Sequence, residues 1–389
     1  MTLPLPDQDA QQASEALISH IRDEIDSAGG WIGFEHFMEM ALYTPGLGYY
    51  SGGAHKFGSA GDFITAPELT PIFAQTLATQ VRQILALSTP HILEVGAGSG
   101  RLVADLLLEL AKHDALPESY EILDLSGELR ERQQVMIAEM APHLLSRLVW
   151  LDRLPERFDG LVLANELLDA MPVHLLRWGN EEDPETIFEH GVCWHEGAFT
   201  WSDRLAQGRV LDYARQITEK LSLPIGYLSE IGLAAMDWIA SWGRILHHGA
   251  LLIIDYGFPQ HEFYHPQRDG GTLMCHYRHR AHTDPFFLPG LQDITAHVDF
   301  TAVIESGHLA GLDLLGYTTQ ASFLMNNNLA DALARISEKN TKDYLLQAQA
   351  VQKLVSPAEM GELFKVMVLG KEIQEPLIGF SWMDRSVTL

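Results

Sequence analysis

Residues 92–100 read Ile-Leu-Glu-Val-Gly-Ala-Gly-Ser-Gly, and the fold can be worked out from this stretch. A strand-like apolar run ends in alternating glycines, Gly96, Gly98 and Gly100, and a helical pattern begins directly after them. Glycine lets the backbone turn sharply and approach a ligand that a Cβ atom would obstruct, and the next helix offers unpaired N–H groups at its N-terminus. The stretch therefore predicts a turn that holds a nucleotide-type cofactor, with an ordinary strand-to-helix loop as the alternative.

The glycine spacing separates one class of cofactor from another. In the dinucleotide pattern G-x-G-x-x-G the last glycine would fall at the position of Arg101, so the sequence disfavours NAD. Glu94 before the turn, followed by G-x-G-x-G, resembles motif I of class I methyltransferases, which bind S-adenosyl-L-methionine.

Composition and charge limit the possible partners. The chain has 389 residues, 47% hydrophobic and 20% charged, which predicts a folded protein of about two domains or one decorated domain. Its 52 Asp and Glu against 26 Lys and Arg give a net charge of -26, which would repel a phosphate backbone and argues against a nucleic-acid acceptor. The same charge would favour a basic peptide, although it also serves solubility alone.

The location of the protein is predicted from three features of the sequence. No apolar run approaches the length of a membrane span, so no membrane partner is expected. No Lys or Arg precedes Arg22, while Asp7, Asp9 and Glu15 do, the opposite of a secretory signal or transit peptide. Two cysteines, Cys193 and Cys275, fit a reducing compartment. A cytoplasmic location is therefore expected.

The middle of the chain alternates strand-like and helix-like segments, which predicts a parallel sheet with crossover helices. Helices are expected at 101–110 and 300–309, and a helix after the Thr70–Pro71 cap. Strands are expected at 91–95, 120–125, 148–151, 158–164, 250–255, 313–318 and 363–369.

Four segments are predicted along the chain. Residues 1–88 hold two helices broken at Gly29–Gly30 and a glycine-rich loop over 44–61, either a lid over a ligand or a surface excursion. Residues 89–180 form the first part of the cofactor domain. Residues 181–244 form an insertion with a strand over 192–201 and a helix over 236–245. Residues 245–389 complete the cofactor domain and carry a helical insertion near 321–354.

Carboxylates follow three of the predicted strands, where ligands bind in open α/β sheets. Asp124 closes the second strand and is expected to accept hydrogen bonds from ribose hydroxyls. Asp152 follows the third strand and either meets an adenine amino group or belongs to a turn. Glu166 and Asp169 follow the fourth strand, and in a helical turn both could face one site; alternatively, Asn165 caps a short helix whose acids are solvated.

Longer blocks of sequence carry a family resemblance. Residues 29–380 resemble the MidA-like family of S-adenosyl-L-methionine-dependent methyltransferases, which includes a mitochondrial complex I assembly-factor protein arginine methyltransferase. The matching blocks, in order, are GGWIGFEHFMEMALYTPGLGYYS (29–51), GDFITAPEL (61–69), ILEVGAGSGRLVADLL (92–107), YEILDLSGELRERQ (120–133), NELLDAMPV (165–173), IIDYG (253–257) and GTLMCHYRHRAHTDPFFLPGLQDITAHVDFTAV (271–303).

The resemblance implies an α/β fold of the Rossmann-like, class I methyltransferase type, with a mostly parallel seven-stranded sheet, an N-terminal helical segment and an inserted subdomain. Many members have Glu where this chain has Asp124 and Pro where it has Gly127, and neither change removes the needed chemistry. The resemblance also implies that Glu94, Gly96, Gly98, Gly100 and Asp124 surround the cofactor and that Thr65, Pro67 and Glu68 of the GDFITAPE block cover it. Ala97, Leu125, Asp152 and Asn165 complete the predicted cofactor-binding set.

The NELLDA segment resembles the glutamate-bearing loop that protein arginine methyltransferases place after their fourth strand. Arginine stays protonated in proteins, so its guanidinium must be oriented and its charge drawn to one side before a nitrogen can attack a methyl group. A carboxylate supplies both effects. Glu166 is therefore the predicted catalytic residue, with Asp169 as its second carboxylate.

A histidine-rich stretch raises the question of a metal. His276, His279 and His282 lie near Asp284, but they lack both the H-E-x-x-H pattern and a cysteine partner, so no metal is predicted. This stretch, with Asp293, His297 and Asp299, instead shapes an acceptor groove or caps the helix near Phe300.

The sequence thus predicts a methyltransferase that acts on a protein, at an arginine. A small-molecule methyltransferase is a second hypothesis, and an assembly chaperone that binds the cofactor without turnover is a third. A homodimer is compatible with all three.

Overall fold

The computed structural model describes residues 3–52, 65–336 and 341–389. Within these residues there are fourteen α-helices, α1 to α14, in chain order: Gln8–Ser27, Phe34–Tyr43, Ala66–Leu69, Pro71–Leu87, Arg101–Lys112, Gly127–Met140, Gly208–Lys220, Leu233–Ile245, Gln260–Phe263, Phe300–Leu309, Gln320–Asn326, Leu329–Ala334, Thr341–Val355 and Met360–Leu363. None of these helices combines the length and the apolar character that crossing a bilayer would require.

The same residues form sixteen strands, β1 to β16, in chain order: Ile32–Gly33, His91–Val95, Ser119–Leu123, Leu148–Leu151, Phe158–Asn165, His174–Trp178, Ile187–His195, Ala198–Leu205, Tyr227–Ile231, Leu246–Phe258, Met274–Tyr277, Arg280–His282, Asp293–Thr295, Val298–Asp299, Asp313–Thr319 and Phe364–Lys371.

Seven of the strands lie side by side in the order β15-β16-β10-β5-β2-β3-β4. The pairs from β10 to β4 are parallel. β16 runs antiparallel to both of its neighbours, so it alone is reversed within this row. The predicted class I methyltransferase fold, with a mostly parallel seven-stranded sheet, is confirmed.

The chain divides into two compact units. We call the first the sheet unit; it consists of residues 65–168, 238–257, 300–336 and 341–389. Its core joins the apolar faces of α4 and α5 to the parallel strands, for example through Phe73, Val103 and Leu161. The predicted cap of α4 is confirmed, since the Thr70 hydroxyl accepts a hydrogen bond from the Ile72 N–H at 3.1 Å.

The second unit, which we call the N-terminal unit, consists of residues 3–52, Asp169–Asp237 and Phe258–Asp299. It holds an antiparallel sheet in the order β1-β7-β6-β9, with β8 paired to β7, and a small sheet in the order β12-β11-β13. Phe37 packs edge-on against both Phe199 and Phe286, so three separate chain segments share one core.

These two units divide the chain differently from the four predicted segments. α4 belongs with the parallel sheet, while residues 258–299 belong with the N-terminal helices and the insertion. The reason is long-range pairing: β1 pairs antiparallel with β7, matching Ile32 with Val192. Hydrophobic periodicity, from which the segments were predicted, carries no information about such partners.

One strand prediction in the insertion is wrong. The single strand expected over 192–201 is a hairpin of β7 and β8, in which His195 pairs with Ala198. Glu196 and Gly197 form its two-residue turn with φ of 50° and 85°. Positive φ at both positions is typical of the tight turns that match the twist of a hairpin, and Gly197 was the signal for it in the sequence.

The glycine-rich loop predicted over 44–61 is described in part. Residues 44–52 form successive turns in which the Gly48 N–H donates to the Thr44 carbonyl at 2.7 Å and the Tyr49 N–H donates to the Ala41 carbonyl at 2.9 Å. Residues 53–64 lie outside the described residues. The lid therefore stays a prediction.

Candidate active site

The glycine turn follows β2 and begins α5. Gly96, Gly98 and Gly100 have φ of 72°, 55° and 83°, a conformation that L-residues with a Cβ rarely adopt. A Cβ atom on Gly96 would lie 3.0 Å from Leu167 Cδ1, so a side chain at this position would also make a tight contact unless Leu167 moved. Both observations explain why glycine is favoured at position 96. Ala97, which lies between Gly96 and Gly98, is buried.

Glu94 is a buried carboxyl group directly before this turn. Only 2% of its surface is exposed, and it accepts a hydrogen bond from the Tyr120 hydroxyl on the neighbouring strand. Burial raises the pKa of Glu94 to about 7; the negative charge of Asp124 adds to the rise and the Tyr120 hydrogen bond opposes it. Glu94 therefore titrates near neutral pH.

Asp124 lies one residue past the end of β3, which stops at Leu123 and not at 125 as predicted. Its carboxylate is buried and accepts hydrogen bonds from the Ser126 N–H at 3.0 Å and the Gln133 Nε2 at 2.9 Å. The same Gln133 nitrogen donates to the Gly98 carbonyl at 3.1 Å. Gln133 thus ties the predicted ribose-binding carboxylate to the glycine turn.

Arg130 connects the ends of β3 and β4. Its guanidinium donates to the carbonyls of Asp124 and Leu151 and pairs with the Asp152 carboxylate at 2.6 Å. The side chain of Asp152 is 91% exposed, and Leu125 is 81% exposed. Both residues remain predicted cofactor contacts at the edge of the sheet.

The described part of the GDFITAPE block forms the short helix α3. Thr65 precedes the helix in an extended conformation, and Pro67 is buried within it. The Ser99 hydroxyl of the glycine turn donates a hydrogen bond to the Glu68 carboxylate. This hydrogen bond joins α3 to the glycine turn, while the contacts of Thr65, Pro67 and Glu68 with the cofactor stay predictions.

Glu166 stands just beyond β5 with φ of 51°, and residues 166–170 form bends and a turn. The helical turn expected there is wrong, because the Glu166 N–H instead donates to the Ile254 carbonyl on β10 at 2.8 Å, which continues the sheet ladder. The Glu166 carboxylate accepts hydrogen bonds from the Ala66 N–H at 3.3 Å and from the Asn165 Nδ2 at 3.2 Å.

Asp169, the second predicted catalytic carboxylate, belongs to the N-terminal unit. It is 6% exposed, and its backbone carbonyl accepts a hydrogen bond from the Ala296 N–H at 2.9 Å. In that unit, the negative charges of Asp293 and Asp169 add to the effect of burial in raising the pKa of Tyr50. Asp169 thus lies in an acidic, tyrosine-containing environment, and its catalytic role stays a prediction.

Four residues of this region were missed by the sequence analysis: Ser99, Tyr120, Gln133 and Asp255. Asp255 had a signal, since it ends an apolar strand in the same way as Asp124. Ser99, Tyr120 and Gln133 carried no recognisable signal in the sequence. Their hydrogen-bond partners lie in other segments of the chain, and the sequence did not show which face of its helix Gln133 occupies.

The histidine-rich stretch forms the small sheet β12-β11-β13 of the N-terminal unit. His279 lies at its exposed hairpin turn with φ of 60°. Across residues 3–52, 65–336 and 341–389, no three His, Cys, Asp or Glu side chains are arranged to hold a metal ion.

The sheet unit fits a nucleoside-containing cofactor. A Cβ at Gly96 would lie 3.0 Å from Leu167 Cδ1, a buried carboxylate directly follows β3, and the Asn165 Oδ1 is a buried oxygen with no hydrogen-bond partner among the described residues. A buried polar atom without a partner is uncommon in a folded protein and marks a place for a ligand or water.

Comparison with known proteins agrees with this geometry. Residues 72–318 match the family described as "Putative S-adenosyl-L-methionine-dependent methyltransferase". A crystal structure from Burkholderia thailandensis, bound to S-adenosyl-homocysteine, is 51% identical, covers 100% of both chains and has a TM-score of 0.95.

More distant relatives include two mitochondrial proteins named protein arginine methyltransferase NDUFAF7. The Drosophila melanogaster homolog is 27% identical over 96% of this chain and 90% of its own length. The Mus musculus protein is 28% identical over 91% of this chain and 84% of its own length.

The chain belongs to the family of S-adenosyl-L-methionine-dependent methyltransferases. The prediction of S-adenosyl-L-methionine as the cofactor, made from the resemblance to class I methyltransferases, is confirmed at the level of this family.

Proposed function

We propose that this protein methylates an arginine side chain of a protein acceptor. The observation that carries the proposal is the position of Glu166, whose carboxylate lies at the carboxyl end of β5 and is held by the Ala66 N–H and the Asn165 amide. Relatives that match 90% or more of this chain carry the name protein arginine methyltransferase, at 25 to 28% identity.

The chemistry of the acceptor explains why a fixed carboxylate is needed. A guanidinium is planar, charged and delocalised, and its nitrogens are poor nucleophiles in that state. Hydrogen bonds from it to the Glu166 carboxylate would draw the positive charge toward one side and orient the opposite nitrogen. When bound, S-adenosyl-L-methionine supplies the methyl carbon on a sulfonium sulfur. A net charge of -26 would also attract a basic acceptor segment.

The test combines labelling with a substitution. The protein is incubated with a methyl-labelled cofactor and a proteome extract, and labelled sites are identified by mass spectrometry. Glu166→Gln should bind S-adenosyl-homocysteine as the unchanged protein does but lose transfer by about 100-fold or more, since it no longer carries the charge. Glu131→Gln, an exposed acid on α6, is the matched control and should keep full activity.

Each outcome decides between the functions considered. Methyl label found only on lysine would overturn arginine methylation. Methyl label found only on small molecules would also overturn it and would favour a small-molecule methyltransferase. Full activity of Glu166→Gln would remove Glu166 from the reaction. Cofactor binding without any labelled acceptor would favour a chaperone. The cytoplasmic location, the homodimer and the exclusion of nucleic acid stay predictions.

A further inference from the structure

The loop that carries Glu166 is held by the end of one neighbouring strand. The Glu166 N–H donates to the Ile254 carbonyl at 2.8 Å. The next two N–H groups, those of Leu167 and Leu168, both donate to the Asp255 Oδ2, at 3.1 and 2.8 Å. Three consecutive backbone donors after β5 are therefore captured by two consecutive residues of β10.

Asp255 is fully buried, with 0% of its surface exposed. Its second oxygen, Oδ1, accepts a hydrogen bond from the Tyr256 N–H at 2.9 Å. Burying a carboxylate is costly unless it is well hydrogen-bonded, and hydrogen bonds to an ionised oxygen are about twice as strong as neutral ones. An apolar residue would fill this strand position at lower cost, so the carboxylate points to a specific task.

The backbone conformation of the loop that carries Glu166 indicates what this task is. Glu166 has φ of 51°, a left-handed conformation that costs on the order of 1 kcal/mol in a residue with a Cβ. It must be held in place by its surroundings. The same loop places Leu167 against Gly96, where a Cβ would lie 3.0 Å from Leu167 Cδ1. Fixing the amides of residues 167 and 168 thus fixes Glu166 relative to the glycine turn.

We infer that Asp255 is a positioning residue for the transfer reaction: it holds the loop so that the Glu166 carboxylate faces the acceptor in one orientation. This inference rests on the proposed function, because it assigns Glu166 the reactive contact. Asp255 accepts hydrogen bonds from the backbone N–H groups of Leu167, Leu168 and Tyr256, and it is not among the residues predicted to bind the cofactor. Its substitution should therefore reduce turnover without removing the groups predicted to bind the cofactor.

The variants are Asp255→Ala and Asp255→Asn. Alanine removes all three hydrogen bonds, while asparagine keeps one carbonyl oxygen that can accept from Leu167 and Leu168. The matched control is Glu109→Ala, which removes a carboxylate of the same unit that is only 1% exposed and pairs with Lys112, His113 and Arg335. Glu109 thus reports the effect of losing a buried acid that does not hold the loop.

Two readouts are measured for each variant. In Asp255→Ala, amide exchange in a peptide covering 166–168 should accelerate by at least about tenfold, the equivalent of one lost hydrogen bond to a charged group. Its kcat on the labelled acceptor should fall by about 100-fold, with the Kd for S-adenosyl-homocysteine changed by less than about threefold. Asp255→Asn should recover at least about tenfold of that loss in kcat. Glu109→Ala should lower Tm and leave kcat and the exchange at 166–168 unchanged.

The exchange measurement needs no acceptor, so it separates this inference from the proposed function. If no acceptor is labelled, arginine methylation fails, yet faster exchange in Asp255→Ala would still support the positioning role. Unchanged exchange at 166–168, or a folded Asp255→Ala that keeps its kcat within about threefold, would overturn it. If Asp255→Ala does not fold, Asp255→Ser decides, because it also removes the carboxylate oxygens. Faster exchange at 166–168 and a lowered kcat in Asp255→Ser would support the role, and exchange and kcat equal to those of the unchanged protein would overturn it.

Discussion

The Tyr120 hydroxyl donates a hydrogen bond to the Glu94 carboxyl group across two parallel strands, and both side chains are buried. Glu94 directly precedes the glycine turn, so a group that titrates near neutral pH lies beneath the predicted cofactor site. A carboxyl group with a raised pKa stabilises the folded state only while it is protonated.

Glu94→Gln should therefore change how stability depends on pH. Burial raises the pKa of Glu94 to about 7, above its value in an unfolded chain. The stabilising contribution of the protonated group is complete at acidic pH and is lost as pH rises through about 7. Relative to the unchanged protein, Glu94→Gln should gain on the order of 3 kcal/mol in free energy of unfolding between about pH 5 and about pH 8.

Denaturant unfolding across this pH range checks the prediction. Glu131→Gln serves as the control, since Glu131 is an exposed acid on α6 and its substitution should not produce this pH-dependent gain. A Glu94→Gln curve that stays parallel to that of the unchanged protein would show that Glu94 is already ionised throughout.

Gly96→Ala should weaken cofactor binding. Alanine at φ of 72° is strained by about 1 kcal/mol, and its Cβ would press on Leu167 Cδ1 at 3.0 Å. Together these effects should raise the Kd for S-adenosyl-homocysteine by about tenfold or more in calorimetry. Gly127→Ala is the matched control, because nothing lies within 4 Å of its Cβ position and φ there is not positive. Equal affinities of Gly96→Ala and Gly127→Ala for S-adenosyl-homocysteine would show that a Cβ at position 96 does not disturb the cofactor site.

Gln133→Ala should lower both stability and cofactor affinity. The Gln133 side chain is buried, bonds Asp124 and the Gly98 carbonyl, and accepts from the Trp150 indole N–H at 3.0 Å. Removing these three hydrogen bonds should cost about 2 kcal/mol in free energy of unfolding. Thermal unfolding with and without S-adenosyl-homocysteine checks both effects, and Gln134→Ala, an exposed neighbour, should change neither. Gln133→Ala with an unchanged Tm would mean that water replaces the amide.

The sequence predicts the cofactor half of the protein well because the signals there are local. β2 spans His91–Val95 and α10 spans Phe300–Leu309, as predicted from apolar runs and helical periodicity. The glycine turn carries a local signal because its conformation requires glycine at fixed positions, and its cofactor class came from the resemblance to motif I of class I methyltransferases. Strand ends also carry a local signal, which located Asp124 and Glu166.

The conformation of the Glu166 loop could not be predicted in the same way. A spacing of three residues suggested a helical turn for Glu166 and Asp169, but three N–H groups of the loop bond to Ile254 and Asp255 instead. Those partners lie almost ninety residues away in the chain, at separations of 87 and 88 for Asp255. Local propensity is weak compared with such pairing, so the backbone followed the sheet.

Two kinds of information therefore meet in this protein. Residue types at short spacing predict the parallel sheet and the glycine turn, because glycine φ angles and apolar periodicity act over a few residues. The cofactor class came from the resemblance of these residues to class I methyltransferases. Tertiary pairing alone places Gln133 between the turn and Asp124, joins the N-terminal helices to the inserted sheet, and lets Asp255 hold the Glu166 loop. Those relations depend on hydrogen bonds and packing between segments distant in the chain, and nothing in the neighbouring residues records which partner they will meet.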